Sequence, residues 1–347
     1  LPPPSYPKGK DFRCEICGKP AVVVCTVCRV TFYCTPEHQQ EDADSIHCKI
    51  CPLLVPLRTP ADEIGSEEDR AHRQRTVDAS HRALVELTRN EASRYLVAKE
   101  YKLAVPAALQ ALRFSIKVYG EGHLDLVPAY ILLAEANLGL RRFQSVEEFL
   151  AMANWSVLKH PECSHTLISK LERTYGQLYA AKGEHGKALE HLAKDVYHSS
   201  LELGPEHINT AAGYFHIGSA FADGEQVEQA LAFYDKVVDV WYKFLVSLRN
   251  SGDDDAATMP DAQVAEAMSM LGEVASTRER VLGPTHIAFG EVQYTIGLLH
   301  VYNGDVDAAS LALRTALAIY TERLGDDHPS TKDVSTVLAD LPAVIAA

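Results

Sequence analysis

Leu203-Gly204-Pro205-Glu206-His207 returns as Leu282-Gly283-Pro284-Thr285-His286 and again as Leu324-Gly325-Asp326-Asp327-His328. Each copy sets a glycine, which reaches backbone angles closed to other residues, after an apolar residue that can end one helix. A histidine follows where the next helix can start. The histidines carry a period: His81, His123, His165 and His207 stand 42 residues apart, and so do His286 and His328. Other columns hold the same phase. Eleven residues after each histidine come Ala92, Ala134, Gly176, Gly218, Gly297 and Ala339, and 23 after come Ala104, Val146, Ala188, Ala230 and Ala309. A ring column at Tyr95, Tyr179, Phe221 and His300, with Asn137 as its exception, lies three residues beyond the small one. A small residue on one helix lets the next approach closely, so the pattern predicts helical hairpins that turn at Gly183, Gly224 and Gly304. The recurring histidines belong to separate repeats and are read as turn and helix-start residues.

This period resembles the tetratricopeptide repeat in an extended 42-residue form like that of kinesin light chains. The resemblance implies an all-α solenoid of five hairpins, closed by a capping helix from His328 to about Leu341. The phase breaks once, because 79 residues separate His207 from His286. Val227 to Val246 and Val264 to Gly283 both read as second helices. Ser251-Gly252-Asp253-Asp254-Asp255, ending at Pro260, lies between them. An inserted helix near 261–281 and an acidic loop are therefore expected within about 247–283. Trp241, Tyr242 and Phe244 cannot all face one side of a helix, so either the inserted helix covers them or part of the patch meets a partner.

Ahead of the repeats stand Cys14, Cys17, Cys25, Cys28, Cys34, His38, His47 and Cys51. Two CxxC knuckles precede two ligand pairs, Cys34 with His38 and His47 with Cys51. Each pair is spaced to share one helix face. Thiolate and imidazole are the ligands zinc prefers, and the interleaved histidines favour metal over disulfides. Eight ligands suffice for two tetrahedral ions and leave no open position, so the ions are expected to be structural. Cys163 lies apart from this cluster, and Cys48 reads as a free thiol that could compete with Cys51. Thiols of this kind imply a reducing compartment.

The spacing resembles the MYND finger, carried by Tyr33, Cys34, His38, Gln39, His47 and Cys51. Spacing alone does not divide the ligands. The resemblance implies a cross-brace, with one zinc on Cys14, Cys17, Cys34 and His38 and the other on Cys25, Cys28, His47 and Cys51. His38 stands where most such fingers have cysteine. Ala43 stands where they often carry a tryptophan of a groove for proline-containing peptides.

The expected domains are a finger over 1–56, a connector over 57–78 and repeats over 79–347; Pro52, Pro56, Pro60 and Gly65 mark residues 52–66 as a stretch that breaks regular structure. Ser66 with Asp69 could cap a helix. Net charge is −14 over 347 residues. In the finger six bases (Lys8, Lys10, Arg13, Lys19, Arg29, Lys49) balance six acids (Asp11, Glu15, Glu37, Glu41, Asp42, Asp44), so the repeats carry the excess. That charge disfavours nucleic acid, anionic membrane and tubulin tails as direct ligands. The chain opens on Leu1, so the native start is expected upstream. No apolar run reaches signal-peptide or membrane-span length. No phosphate loop, dinucleotide turn or nucleophile motif appears, and the expected class is non-enzymatic.

The pairing of finger and repeats resembles a family of motile cilia. The resemblance implies a scaffold in the axoneme and cytoplasm whose partners are a single-headed inner-arm dynein subunit and another tetratricopeptide protein. One rival is a cytosolic dynein assembly factor that brings a chaperone. Its carboxylate-clamp columns here hold Arg89, Ser93, Leu132, Lys170 and Thr174, of which only Lys170 fits fully. Another rival is a nuclear corepressor adaptor.

Overall fold

A computed structural model describes residues 12–59, 66–251 and 259–344. The expected loop at 252–258, including Asp253 to Asp255, lies outside the described residues, as do Pro60, Gly65, Lys8, Lys10 and Asp11. The chain divides into two compact units, Leu1–Cys163 and Ser164–Ala347.

The first unit begins with two short antiparallel strands, β1 (Val23–Val24) and β2 (Phe32–Tyr33), which pair Val23 with Tyr33 and Val24 with Phe32. Helix α1 (Pro36–Asp42) follows. The Thr35 hydroxyl accepts the His38 N–H, and Pro36 sits where no amide partner is needed. A π-helical turn (Ala43–His47) joins α1 directly to α2 (Cys48–Arg58).

Helix α2 runs through Pro52 and Pro56, where a break was expected. An interior proline costs about 3 kcal/mol. Against this, Ile46, Ile50 and Leu54 form a stripe with 0% exposure. Each contributes about 1.5–3 kcal/mol on burial, and tertiary packing therefore overrides local preference.

Helix α3 (Glu67–Val97) starts in a capping box. The Ser66 hydroxyl accepts the Asp69 N–H at 3.1 Å, and the Asp69 carboxylate accepts the Ser66 N–H at 3.0 Å. The connector expected over 57–78 is thus helical at Leu57 and Arg58 and again from Glu67. The box and the acidic first turn fix a helix start that the repeat phase did not register. His81 consequently lies inside α3 and starts nothing. Helices α4 (Tyr101–Tyr119), α5 (Val127–Gly139) and α6 (Phe143–Leu158) complete two hairpins with α3.

The second unit contains α7 (His165–Ala181), α8 (His185–Leu203), α9 (Ile208–Asp223), α10 (Val227–Ser251), α11 (Asp261–Leu282), α12 (Ile287–Tyr302), α13 (Val306–Leu324) and α14 (Pro329–Val344). Its hairpins close at the small column. A Cβ added at Gly176 would lie 2.5 Å from Leu192, one at Gly218 would lie 2.7 Å from Tyr234, and one at Gly297 would lie 2.7 Å from Leu313. The facing Ala188, Ala230 and Ala309 are buried. In α14 the small-column residue Ala339 is exposed. His123, His207 and His286 cap helices, each accepting at Nδ1 the N–H two residues on, and His328 Nδ1 accepts the Ser330 N–H.

The inserted helix is α11, which runs one residue past the expected 261–281. Its Val264, Ala267, Met270, Leu271 and Val274 share a core with Val240, Trp241 and Leu245 of α10. Trp241 is 2% exposed, and Tyr242 and Phe244 pack at the edge of that core. Arg278 of α11, fully buried, donates to Asp235 of α10 at 2.5 Å and to the Ala288 carbonyl of α12 at 2.6 Å.

Two substitutions test the close approach. Gly218→Val should lower unfolding free energy by about 1–3 kcal/mol through overpacking against Tyr234. Gly272→Ala, on an open face of α11 where an added Cβ meets nothing within 4 Å, should raise it by about 0.5–1 kcal/mol. Denaturant titration measures both.

Candidate metal centre

The two knuckles are built alike. In the first, the Gly18 N–H bonds the Cys14 carbonyl at 3.0 Å and the Cys14 N–H bonds the Lys19 carbonyl at 2.8 Å, with Gly18 at φ 69°. In the second, the Arg29 N–H bonds the Cys25 carbonyl at 3.0 Å and the Cys25 N–H bonds the Thr31 carbonyl at 3.0 Å, with Arg29 at φ 59°. Each left-handed residue folds the chain back so that both cysteines of a knuckle face one point. The remaining donors come from the helical run. Cys34 precedes α1 and His38 lies within it, whereas His47 and Cys51 straddle the junction of the π turn with α2.

These residues gather in two groups of four, Cys14, Cys17, Cys34 and His38 in one and Cys25, Cys28, His47 and Cys51 in the other. The ligand atoms of each group lie within 4.8 Å of one another. In the first group Cys17 Sγ is 3.4 Å from Cys34 Sγ, and His38 Nδ1 is 3.4 Å from Cys14 Sγ and 3.2 Å from Cys34 Sγ. In the second, His47 Nε2 is 3.3 Å from Cys25 Sγ and 3.8 Å from Cys28 Sγ, and Cys25 Sγ is 4.0 Å from Cys51 Sγ. A tetrahedron with zinc–sulfur bonds of about 2.3 Å has sulfur–sulfur edges of about 3.8 Å. The donor sets fit two structural zinc ions. Cys48 is exposed and stands outside both groups.

The electrostatics agree with a cation site. Burial pushes the Cys14 thiol up, but the N–H groups of Cys17, Cys34 and Ile16 outweigh it and bring Cys14 to about 6. Cys51 is pushed up to about 12, by burial first and then by Cys28 and Cys25. Four donors so close cannot all ionise alone, and a dication takes the place of the protons they would share. Burial, followed by the Arg58 charge, lowers His47, which keeps its ring neutral and able to ligate.

Several residues around the clusters were not singled out from sequence. Asp42, 1% exposed, accepts the Tyr33 hydroxyl at 2.7 Å, and its Oδ2 lies 3.9 Å from His47 Nδ1, the ring nitrogen turned from the cysteines. Burial raises the Asp42 carboxyl to about 6. At 3.9 Å the pair makes no hydrogen bond, so the carboxylate stands near the ring without the direct contact that orients ligand histidines. Glu15, between the first two cysteines, receives Arg58 of α2 at 2.6 Å, Gln110 of α4 at 3.0 Å, and Arg113 of α4. Burial opposes its ionisation, and the Arg58 and Arg113 charges overcome this and hold the carboxyl low. Ser45 Oγ donates to the Leu103 carbonyl at 2.6 Å, and the Tyr95 hydroxyl donates to the Ser45 carbonyl at 2.9 Å. The available signals were Tyr33 of the finger pattern and Tyr95 of the ring column; Gln110 and Arg113, nearly a hundred residues from Glu15, leave no local pattern.

Residues 14–51 match the family model of the MYND finger, and residues 262–288 and 293–330 match that of the tetratricopeptide repeat. The first repeat match takes in α11, so the inserted helix is itself repeat-like in sequence. Among solved structures, the chain is similar to one described as a Podosopora anserina kinesin light chain with nearly identical TPR-like repeats. Identity is 18%, coverage is 71% of this chain and 97% of that one, and the TM-score is 0.37. A single-substitution form of the same fungal protein gives 18%, 71%, 96% and 0.36. The chain thus carries a MYND finger and tetratricopeptide repeats, families of protein-interaction modules.

Burial separates the two zinc sites. Cys25, Cys28, His47 and Cys51 are all buried, whereas Cys17 is exposed and Cys34 and His38 are half-buried. Metal analysis should find two zinc ions per chain, and a chelator should withdraw them in two phases, the Cys17 site first. Cys17→Ser should keep one ion and full helix content. Cys51→Ser should lower both zinc content and the midpoint of helical unfolding, read by circular dichroism.

Proposed function

We propose that the chain is a non-catalytic adaptor of the ciliary axoneme. In this role it helps attach a single-headed inner-arm dynein to the doublet microtubule through contacts with a dynein subunit and a second tetratricopeptide protein. The observation that carries the adaptor reading is the union of finger and first hairpins. Glu15 is clamped by Arg58, Arg113 and Gln110, and the stripe of Ile46, Ile50 and Leu54 shares a core with Leu84, Val85, Tyr95 and Ala104. An interaction surface built on a rigid unit binds without the entropy cost of ordering a tethered module. The ciliary setting rests on the resemblance of the whole arrangement, finger followed by 42-residue repeats, to proteins of motile cilia.

We further propose that Cys14, Cys17, Cys34 and His38 hold one zinc and Cys25, Cys28, His47 and Cys51 the other, both in structural roles. The chaperone-adaptor rival is poorly supported by its clamp columns. Arg89 is engaged by Glu86 and the Asp125 carbonyl, and Thr174, 1% exposed, donates to the Lys170 carbonyl.

Tagged chain expressed in ciliated cells tests the reading. After detergent extraction it should stay with the axoneme, and salt should release it together with an inner-arm dynein. Recovery wholly in the detergent-soluble fraction, bound to chaperones, would refute it.

A further inference from the structure

Within the first unit, the finger, α4, the C-terminal end of α5 and α6 enclose a cleft of about 440 Å³. Bound ligands fill pockets of roughly 300–1,000 Å³. Leu109, Leu133, Leu140 and Phe149 give it an apolar floor, and Lys102 and Arg142 stand on its rim. The cleft uses His38 and Glu41 of α1 and not Ala43, the position at which the finger's resemblance places a peptide groove.

The rim charge runs against the rest of the chain. The residue that reverses the chain between paired helices at positive φ is Lys99, Arg141, Gly183, Glu225 or Gly304. In the first unit these turns read Lys99-Glu100 and Arg141-Arg142, whereas in the second they read Gly183-Glu184, Glu225-Gln226 and Gly304-Asp305. Arg141-Arg142 therefore puts two positive charges where each hairpin turn of the second unit carries an acidic residue, whereas Lys99-Glu100 is balanced and the cation beside it is Lys102 of α4, in a chain of net charge −14. Lys102 is the second residue of α4 and Arg142 is the N-cap of α6. Both helices start without a side-chain cap, so two positive dipole ends add to the two cations. Both side chains are exposed, and neither forms an ion pair among the described residues.

We propose that this cleft docks an extended segment of a protein partner, one that lays apolar side chains on the floor and presents two acidic side chains to Lys102 and Arg142. Glu41, on the finger rim, repels a uniformly acidic segment and so favours one that alternates acidic with apolar residues. The inference rests on the adaptor reading and gives it one specific contact.

Fluorescence anisotropy on the full zinc-loaded chain tests it. The probes are a labelled, amidated eight-residue peptide of alternating leucine and glutamate, and its leucine–lysine counterpart. The glutamate peptide should bind and the lysine peptide should not. The Lys102→Glu, Arg142→Glu double variant, with unchanged helicity and zinc content, should bind the glutamate peptide at least about tenfold more weakly and gain affinity for the lysine peptide. Equal binding of the glutamate peptide by wild type and double variant, or no binding to wild type, overturns the proposal. Axonemal retention with loss of peptide binding would sink the cleft and leave the adaptor reading standing. Peptide binding without axonemal retention would do the reverse.

Discussion

The first unit depends on one helical run that belongs to two structures at once. From Ala43 to Arg58 the chain offers His47 and Cys51 to the second zinc site, while Ile46, Ile50 and Leu54 enter the hydrophobic core of the first hairpins. The two sets alternate along the helix, so neither can be moved without rotating the other. Coordination holds the helix through its prolines, and the buried stripe holds the zinc site against α3 and α4. A finger of this size buries too little to fold alone. Here its folding free energy is drawn from metal and from the hairpin together, which makes it the first layer of the helical stack.

The second unit depends on contact distance. Gly176, Gly218 and Gly297 bring paired helices near enough that a methyl group would collide with Leu192, Tyr234 or Leu313. Polar ties then fix the packed helices in register. Asp195, fully buried, accepts Ser169 at 2.5 Å and Arg173 at 2.8 Å, and Arg173 reaches the Asn209 carbonyl at 3.0 Å, joining α7, α8 and α9. Arg278 does the same for α10, α11 and α12. A buried guanidinium is costly unless its donors are met; Nη1 and Nη2 of Arg278 are, and Nε is not.

The features legible in sequence were those with short-range causes. Ligand spacing at 2 and 3 residues follows from knuckle and helix geometry, the small and alanine columns follow from helix contact, and Leu-Gly turns follow from the backbone freedom of glycine. The capping pair of Ser66 and Asp69 was legible for the same reason, although the repeat phase placed the first hairpin only from residue 79. What escaped was set by sums over distant contacts. Pro52 and Pro56 read as breakers because their cost is local, whereas the burial that offsets it depends on Leu84 and Tyr95. The clamp on Glu15 drew on residues 58, 110 and 113, a constellation no motif encodes.

Fusion of the finger with the hairpins alters where recognition can occur. The faces of the π turn and α2 that carry Ile46, Ile50 and Leu54 are spent on the core. The side of the finger bearing Ile16, Cys17, His38 and Glu41 stays open, and it shares its cleft with α4, α5 and α6. Whatever meets the finger there meets the first two hairpins at the same time. Selectivity then comes from the pair, with apolar depth supplied by the helices and the sign of the charge by their turns. The Arg141-Arg142 turn carries the opposite sign to the turns of the second unit, which favours an acidic segment at the first unit over the equivalent positions of the second.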